Sequence, residues 1–371
     1  MTTPLPLVAE RIEDARPLPA RFYRDAGLFE STREAFARSW QWLGPPADDG
    51  PRAEPSVLLP GFLDEPLLAT RDESGRRRLF PNVCTHRAHP VATAPGDAKT
   101  LVCGYHGRRF GLDGRCLGAP GFERVPGFPC AEHDLAPLAE RTLAGHRFVR
   151  LLGADGPAFL PGGLERRVQL DALTRALPAP RLARDFEVAA HWALYVENYL
   201  EGFHVPFVHP SLHRELDPTG YTAEPFEGGV LQVGRARTLA DAFDADSTIV
   251  GPAEAERASI AAYYLWWFPN TMWNVYPWGL SVNVVEPLDL DRTRVRFRAF
   301  VLNEKRLASG AGADLDRVEA EDEAVVERVQ QGVRSRHWHG TNFAPTHERG
   351  VHQFHRLLAA ALTDVLDAAR A

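Results

Sequence analysis

The sequence predicts an α+β protein of two parts, a small all-β module and a larger domain of helices around an antiparallel sheet. Three observations carry this. Residues 42–155 consist of short apolar runs such as SVLLP, PLLAT and HRFVRLLG cut by Gly, Pro and Asp clusters, the texture of strands joined by turns. Residues 156–371 mix helical and strand periodicities, and residues 1–41 end in a helical pattern.

Within 22–41 the helical pattern begins at about Ser31, with Ser31 and Glu34 spaced as a capping box and Ala35, Phe36 and Trp40 on one face. In the last domain, helices are expected near 163–176, 191–204, 314–334 and 351–370, with strands near 229–238, 261–268, 280–287 and 293–303. The stretch 259–285 holds no charged residue and is long enough to cross a bilayer. Pro269, Asn270, Asn274, Pro277, Gly279 and Asn283 break it into short aromatic and β-branched runs. Buried strands joined by a turn are therefore expected there, and no membrane span.

Composition excludes more than it identifies. Hydrophobic residues make up 44% and charged residues 25%, enough apolar mass for a full core. A formal charge of -7, with no basic run beyond Arg76, Arg77 and Arg78, argues against a nucleic-acid partner. The N-terminus carries acidic residues and prolines where an export signal needs an apolar core. Four cysteines are too few for a disulfide framework, so a reducing, cytoplasmic location is expected.

Two of those cysteines have ligand spacing. Asn82-Val83-Cys84-Thr85-His86-Arg87 is followed, sixteen residues beyond His86, by Cys103-Gly104-Tyr105-His106-Gly107, so each of two loops offers one thiolate and one imidazole. A [2Fe–2S] cluster with two cysteines on one iron and two histidines on the other carries less negative charge than a four-cysteine cluster and accepts an electron more readily. Zinc also takes Cys₂His₂, but its usual order places both cysteines before both histidines. Cys116 and Cys130 stand alone and read as core or surface thiols.

A second constellation lies in 197–209, ENYLEGFHVPFVH. Glu201 and His204 are three apart, on one face of the expected helix, and Pro206 would kink that helix so that His209 converges with His204. Two histidines and one carboxylate on one face of an iron leave positions open for O₂. In the helix near 314–334 the apolar stripe is Val318, Val325, Val329 and Val333, and Asp322 falls in it. A carboxylate aimed at the core is costly unless paired or metal-bound, which makes Asp322 the expected third ligand. Glu319, Glu321 and Glu323 lie off that stripe and are expected to face solvent.

CTHR and CGYHG at this separation, then ENYLExxHxxxxH, then EDEAVVERVQQGV resemble the Rieske non-heme iron oxygenase α subunits over nearly the whole chain. The last segment and GVHQFH are most similar to the choline monooxygenase and quaternary-ammonium branch. The resemblance implies a Rieske [2Fe–2S] domain, residues 42–155, inserted near the N-terminus of a helix-grip (START/Bet v1-like) catalytic domain made of 156–371 with 1–41. It implies a mononuclear Fe(II) on His204, His209 and Asp322, O₂ as co-substrate, and monooxygenation or oxidative demethylation of a small molecule. It brings Asn198 and Glu201 into the catalytic set, with Glu201 linking His204 to His106 of a neighbouring subunit in a homotrimer. Ring-dihydroxylating members usually carry Asp at that position, so Glu201 argues against that alternative.

No strand–GxGxxG–helix unit and no plant-type ferredoxin loop occurs in the sequence. NAD(P)H would therefore act only through a separate flavin or iron–sulfur reductase, with or without a ferredoxin. Tyr263, Trp266, Trp267, Trp273, Tyr276 and Trp278 either fill the sheet core or form a cage for an alkylammonium by cation–π attraction; Tyr263, Trp266, Trp273 and Tyr276 are the expected pocket residues. The rival class is an electron-transfer protein, whose second domain would need no iron.

Overall fold

The computed structural model describes residues 5–46, 50–153, 164, 168, 170, 179–244 and 259–368. The chain divides into two compact units, one of Leu43–Thr142 with His146–Ala154, the other of the flanking segments.

The first part of the chain is strand and turn, as its texture predicts: β1 (Gln41–Gly44), β2 (Ala53–Leu58), β3 (Glu65–Arg71), β4 (Arg77–Pro81), β5 (Thr100–Val102), β6 (Arg109–Gly111), β7 (Cys116–Gly118), β8 (Ala139–Leu143) and β9 (His146–Arg150). They form three three-stranded sheets, β1-β9-β8, β2-β3-β4 and β5-β6-β7. One apolar cluster holds Leu68, Phe80, Leu101 and Phe110 together with Cys84, Cys103 and Cys116.

In the larger unit, α1 (Ala26–Ala37) begins well before Ser31, because Asp25 is the N-cap and its carboxylate accepts from the Gly27 and Leu28 amides at 2.8 and 3.0 Å. Ser31 lies inside the helix and its hydroxyl donates to the Gly27 carbonyl at 2.8 Å, the back-bonding that serine adopts mid-helix. Ala35 and Phe36 are buried as expected; Trp40 lies past the end.

The sheet is β10 (Leu182–Val188), β11 (Leu216–Phe226), β12 (Gly229–Ala236), β13 (Ile260–Trp267), β14 (Thr271–Tyr276), β15 (Gly279–Asp289) and β16 (Arg292–Val301), ordered β10-β16-β15-β14-β13-β12-β11 and antiparallel throughout. The uncharged stretch is β13, β14 and the start of β15, so strands and turns take it as expected. Edge strands β10 and β11 escape sequence reading because neither is a continuous apolar run; β10 is mostly exposed.

The helices are α2 (Trp192–Tyr199), α3 (Val205–Val208), α4 (Pro210–Glu215), α5 (Leu315–Val333) and α6 (Arg349–Ala368). The helix expected over 191–204 stops at Tyr199, so Pro206 does not kink it but opens the next one, near the start of the single turn α3. The helix expected near 163–176 falls largely outside the described residues. No helix among the described residues is long and apolar enough to cross a membrane.

Candidate metal centres

In the smaller unit, Cys84 and Cys103 open two loops with matching hydrogen bonds. The Cys84 amide donates to the His89 carbonyl at 2.9 Å and Ala88 donates back to Cys84 at 3.0 Å; the Cys103 amide donates to Arg108 at 2.8 Å and Gly107 donates back to Cys103 at 3.0 Å. Both loops turn through the left-handed region at the fourth residue after the cysteine, Gly107 with φ 69° and Ala88 with φ 55°, a conformation that costs any residue but glycine about 1–2 kcal/mol.

This repeat brings His86 and His106 to 4.8 Å between ring centroids and puts both cysteines in the core cluster. All four cysteines carry thiols with no disulfide. Burial pushes the Cys84 thiol up, and the Cys103 sulfur beside it adds to that. Two adjacent buried thiols and two neighbouring imidazoles from the same pair of loops make up the donor set of a Rieske-type cluster. Arg108 lies between Phe122 and Phe128, 5.0 and 5.2 Å from their centroids, and donates to the Thr85 hydroxyl at 3.0 Å, packing the cluster loops. Cys116 is a core thiol and Cys130 an exposed one beside His133.

In the larger unit, His204, His209 and Asp322 bring their ligand atoms within 4.8 Å of one another. His209 Nε2 lies 2.9 Å and His204 Nε2 3.4 Å from the same Asp322 oxygen, Oδ1. The other nitrogen of each ring is held by a carboxylate: His204 Nδ1 by Glu201 at 2.6 Å and His209 Nδ1 by Glu321 at 2.8 Å. Each imidazole is thereby oriented with Nε2 inward, the usual outer support of a metal ligand. Asn198, from α2, donates to Asp322 Oδ1 at 2.6 Å. Burial works against the Asp322 carboxylate, but the two imidazoles outweigh it and hold it at about 2. Burial likewise works against the His204 cation, yet Asp322 and Glu201 hold it at about 9. Two histidine nitrogens and one carboxylate oxygen converging on one point suit a facial iron site.

The local chain explains this convergence. After α2 ends, Glu201 accepts from the Phe203 and His204 amides and folds residues 201–204 into a tight loop. Gly202 is required there, because a Cβ would meet the Tyr221 ring at 2.9 Å.

Glu319, expected at the surface, is inside, and Glu321 is partly covered, its side chain 23% exposed. Glu321 is the His209 partner. Glu319 is buried and accepts from the Tyr195 hydroxyl. The buried residues of α5 are Glu319, Val326, Gln330 and Val333, with Asp322 partly buried beside them; Asp322 and Val333 of the expected stripe are kept, Val318, Val325 and Val329 give way to the residue after each, and Val329 is 43% exposed. Glu323 is half-buried.

A cavity of about 100 Å³ opens on the His204, His209 and Asp322 group. Tyr195, Tyr199, Tyr221, Tyr264 and Tyr276 line it, five of the eight tyrosines in the chain, together with Glu319. Of the expected pocket residues only Tyr276 belongs to it. Along β13, Tyr264 faces the cavity, so Tyr263 and Trp267 face away. Trp273 pairs with Leu265 on that same far face, its ring 5.2 Å from Trp267. Trp266 shares the Tyr264 face but packs on Phe354 of α6 at 5.5 Å. Trp278 stacks beneath Tyr276 at 5.2 Å and donates to the Gly312 carbonyl. The cavity tyrosines went unseen because α2 and β11 contribute three of them from separate segments.

Residues 51–129 match the Rieske [2Fe-2S] domain family and residues 175–364 the ring hydroxylating alpha subunit catalytic domain. The chain is 28% identical to the carnitine monooxygenase oxygenase subunit of Acinetobacter baumannii over 92% of this chain and 93% of that one. It is 28% identical to the chloroplastic choline monooxygenase of Arabidopsis thaliana over 94% and 83%. The crystal structure of a quaternary ammonium Rieske monooxygenase with L-carnitine superposes with a TM-score of 0.72 at 25% identity, over 97% of this chain and 99% of that one.

Proposed function

Because the chain belongs to the ring-hydroxylating oxygenase α-subunit family, we propose that it hydroxylates a carbon bonded to the nitrogen of a quaternary ammonium compound. It is a Rieske-type iron oxygenase subunit, with a [2Fe–2S] cluster and a mononuclear iron as cofactors, O₂ as co-substrate and a separate reductase as electron source. The observation that carries the substrate reading is the tyrosine-walled cavity that opens on His204, His209 and Asp322. Aromatic faces attract a cation too weakly hydrated to be held by water, and carnitine and choline oxygenases are among the relatives.

In this reading Cys84 and Cys103 hold one cluster iron and His86 and His106 the other. His204, His209 and Asp322 would hold the mononuclear iron. When bound, the cluster supplies single electrons and the iron activates O₂ for C–H hydroxylation. Glu201 and Glu321 keep each Nδ1 protonated and each Nε2 turned inward. Asn198 fixes the Asp322 oxygen, and the tyrosines position the ammonium and exclude water. Overall, substrate, O₂, two electrons and two protons give the hydroxylated product and water. With a hydroxyl on the carbon next to a quaternary nitrogen, the C–N bond then breaks as the hydroxyl proton leaves, its electron pair going to nitrogen, and a tertiary amine, an aldehyde and a proton are released.

We further place the chain in a cytoplasmic homotrimer, with Glu201 bridging His204 to His106 of the next subunit, and the reductase passes its electrons to the cluster directly or through a ferredoxin. The test is iron and sulfide analysis with EPR, then turnover with a reductase on a panel of quaternary amines. About three irons and two sulfides per chain, a reduced Rieske signal and a separate nitrosyl signal are expected. Two irons and no nitrosyl signal would leave only an electron-transfer protein. A fully loaded enzyme that oxidises no quaternary amine would sink the substrate.

A further inference from the structure

Glu319 is an acid inside the cavity that the reaction above does not use. Only 8% exposed, it sits one helical turn before Asp322 on the inward face of α5, where side chains three apart are about 5–6 Å from each other at Cβ. One of its oxygens accepts from the Tyr195 hydroxyl and the other from Asn283 Nδ2 at 3.5 Å. The walls beside it meet nearly at right angles: Tyr199 to Tyr264 at 86° and 6.4 Å, Tyr264 to Tyr276 at 83° and 6.0 Å. Among the described lining residues there is no lysine or arginine to neutralise this acid.

We propose that Glu319 is the counter-ion of the substrate ammonium group, setting the nitrogen one helical turn from the iron ligand Asp322 and so selecting an N-bound carbon for attack. The proposal rests on the quaternary ammonium reading and names the residue that makes the cavity select charge over shape. A neutral molecule of the same outline fills the tyrosine box but brings no cation to the acid, which keeps only its Tyr195 and Asn283 hydrogen bonds.

Burial pushes the Glu319 carboxyl up to about 8, Asp322 and Glu323 add to that, and the Tyr195 and Asn283 hydrogen bonds pull it back. The groups that face it are Tyr195 from α2, Tyr276 from β14, Asn283 from β15, and Asp322 and Glu323 on its own helix.

The experiment titrates iron-loaded, cluster-intact protein with (2-hydroxyethyl)trimethylammonium and with its neutral tert-butyl isostere, in wild type and Glu319→Gln. Wild type is expected to prefer the cation, and Glu319→Gln to lose about tenfold or more of its affinity for the cation with the isostere unchanged. Glu319→Asp, which keeps the charge on a shorter arm, is expected to retain part of the preference for the cation over the isostere. Wild type that turns over the cation while Glu319→Gln binds it equally well overturns the anchor and leaves the substrate reading standing. Wild type with no affinity for the cation overturns both. If Glu319→Gln does not load iron, the wild-type preference decides, and equal affinity for the cation and its neutral isostere overturns the proposal.

Discussion

Each of the paired histidines depends on a carboxylate that is not itself a proposed ligand, Glu201 behind His204 and Glu321 behind His209. Glu321→Ala removes the acceptor from His209 Nδ1, and outer partners of this kind change metal affinity about 10–100-fold. We expect that loss of iron affinity, read by competition with a chelator, with the cluster EPR signal unchanged; unchanged iron affinity would make Glu321 a surface residue. Only part of this was legible from the residue order. Asp322 announces itself as a carboxylate facing inward, but its neighbour Glu321 points about 100° away on the helix and meets His209 only because the 201–209 loop returns there. Glu319 was hidden by the phase of the stripe: Val318, Val325 and Val329 outvote one glutamate in a hydrophobicity pattern, although the helix turns that glutamate inward.

Helix α2 presents Tyr195, Asn198 and Tyr199 to the cavity, and both of its ends are pinned. At the start, His191 Nδ1 accepts from the Ala193 amide at 3.2 Å as the N-cap, and burial pulls that imidazole down to about 3. In the unfolded chain it titrates near 6.5, so its neutral form supports folding above that pH. As pH falls from about 6.5 toward 3 the unfolded state takes the proton first, and stability drops by up to about 1.4 kcal/mol per pH unit from this residue. His191→Asn keeps a capping side chain and should flatten the fall in urea midpoint between pH 7 and pH 5; an unchanged fall would clear His191. At the other end, Gly350 of α6 lies against Leu200, and a Cβ there would meet the Leu200 carbonyl oxygen at 2.3 Å. Gly350→Ala should cost about 1–3 kcal/mol and lower iron occupancy by displacing the chain that leads to Glu201 and His204, with cluster content intact. Full iron occupancy would show that the loop absorbs the push. The early end of α2 was not legible, since nothing in Leu200-Glu201-Gly202 but one glycine breaks the helical pattern; the close approach of Tyr221 is what makes that glycine necessary.

At the scale of the molecule, cluster and mononuclear site belong to different compact units, and the proposed trimer passes electrons from one chain to the next. Cys103→Ala, which loses the cluster, and Asp322→Ala, which loses the iron, should each be inactive alone. Assembled together they should recover turnover, because an intact cluster in one subunit faces an intact iron in another. Mixed assemblies that stay inactive would mean that electrons do not cross between chains. By itself, the sequence determined the donor set of both proposed sites and the division into a β module and a helix-and-sheet domain. Those features are local: a thiolate and an imidazole must lie within one loop to share a cluster, and turn-punctuated runs differ from helical periods within a few residues. Which side chains wall the cavity was decided by tertiary structure alone. Both faces of β13 are apolar and covered, with Tyr263 at 2% exposure on one and Trp266 at 0% on the other, so no alternation marks the functional side. Register across seven strands and the landing of α2 and α5 choose Tyr264 over Tyr263, bring Glu319 in from the surface and set Glu321 against His209.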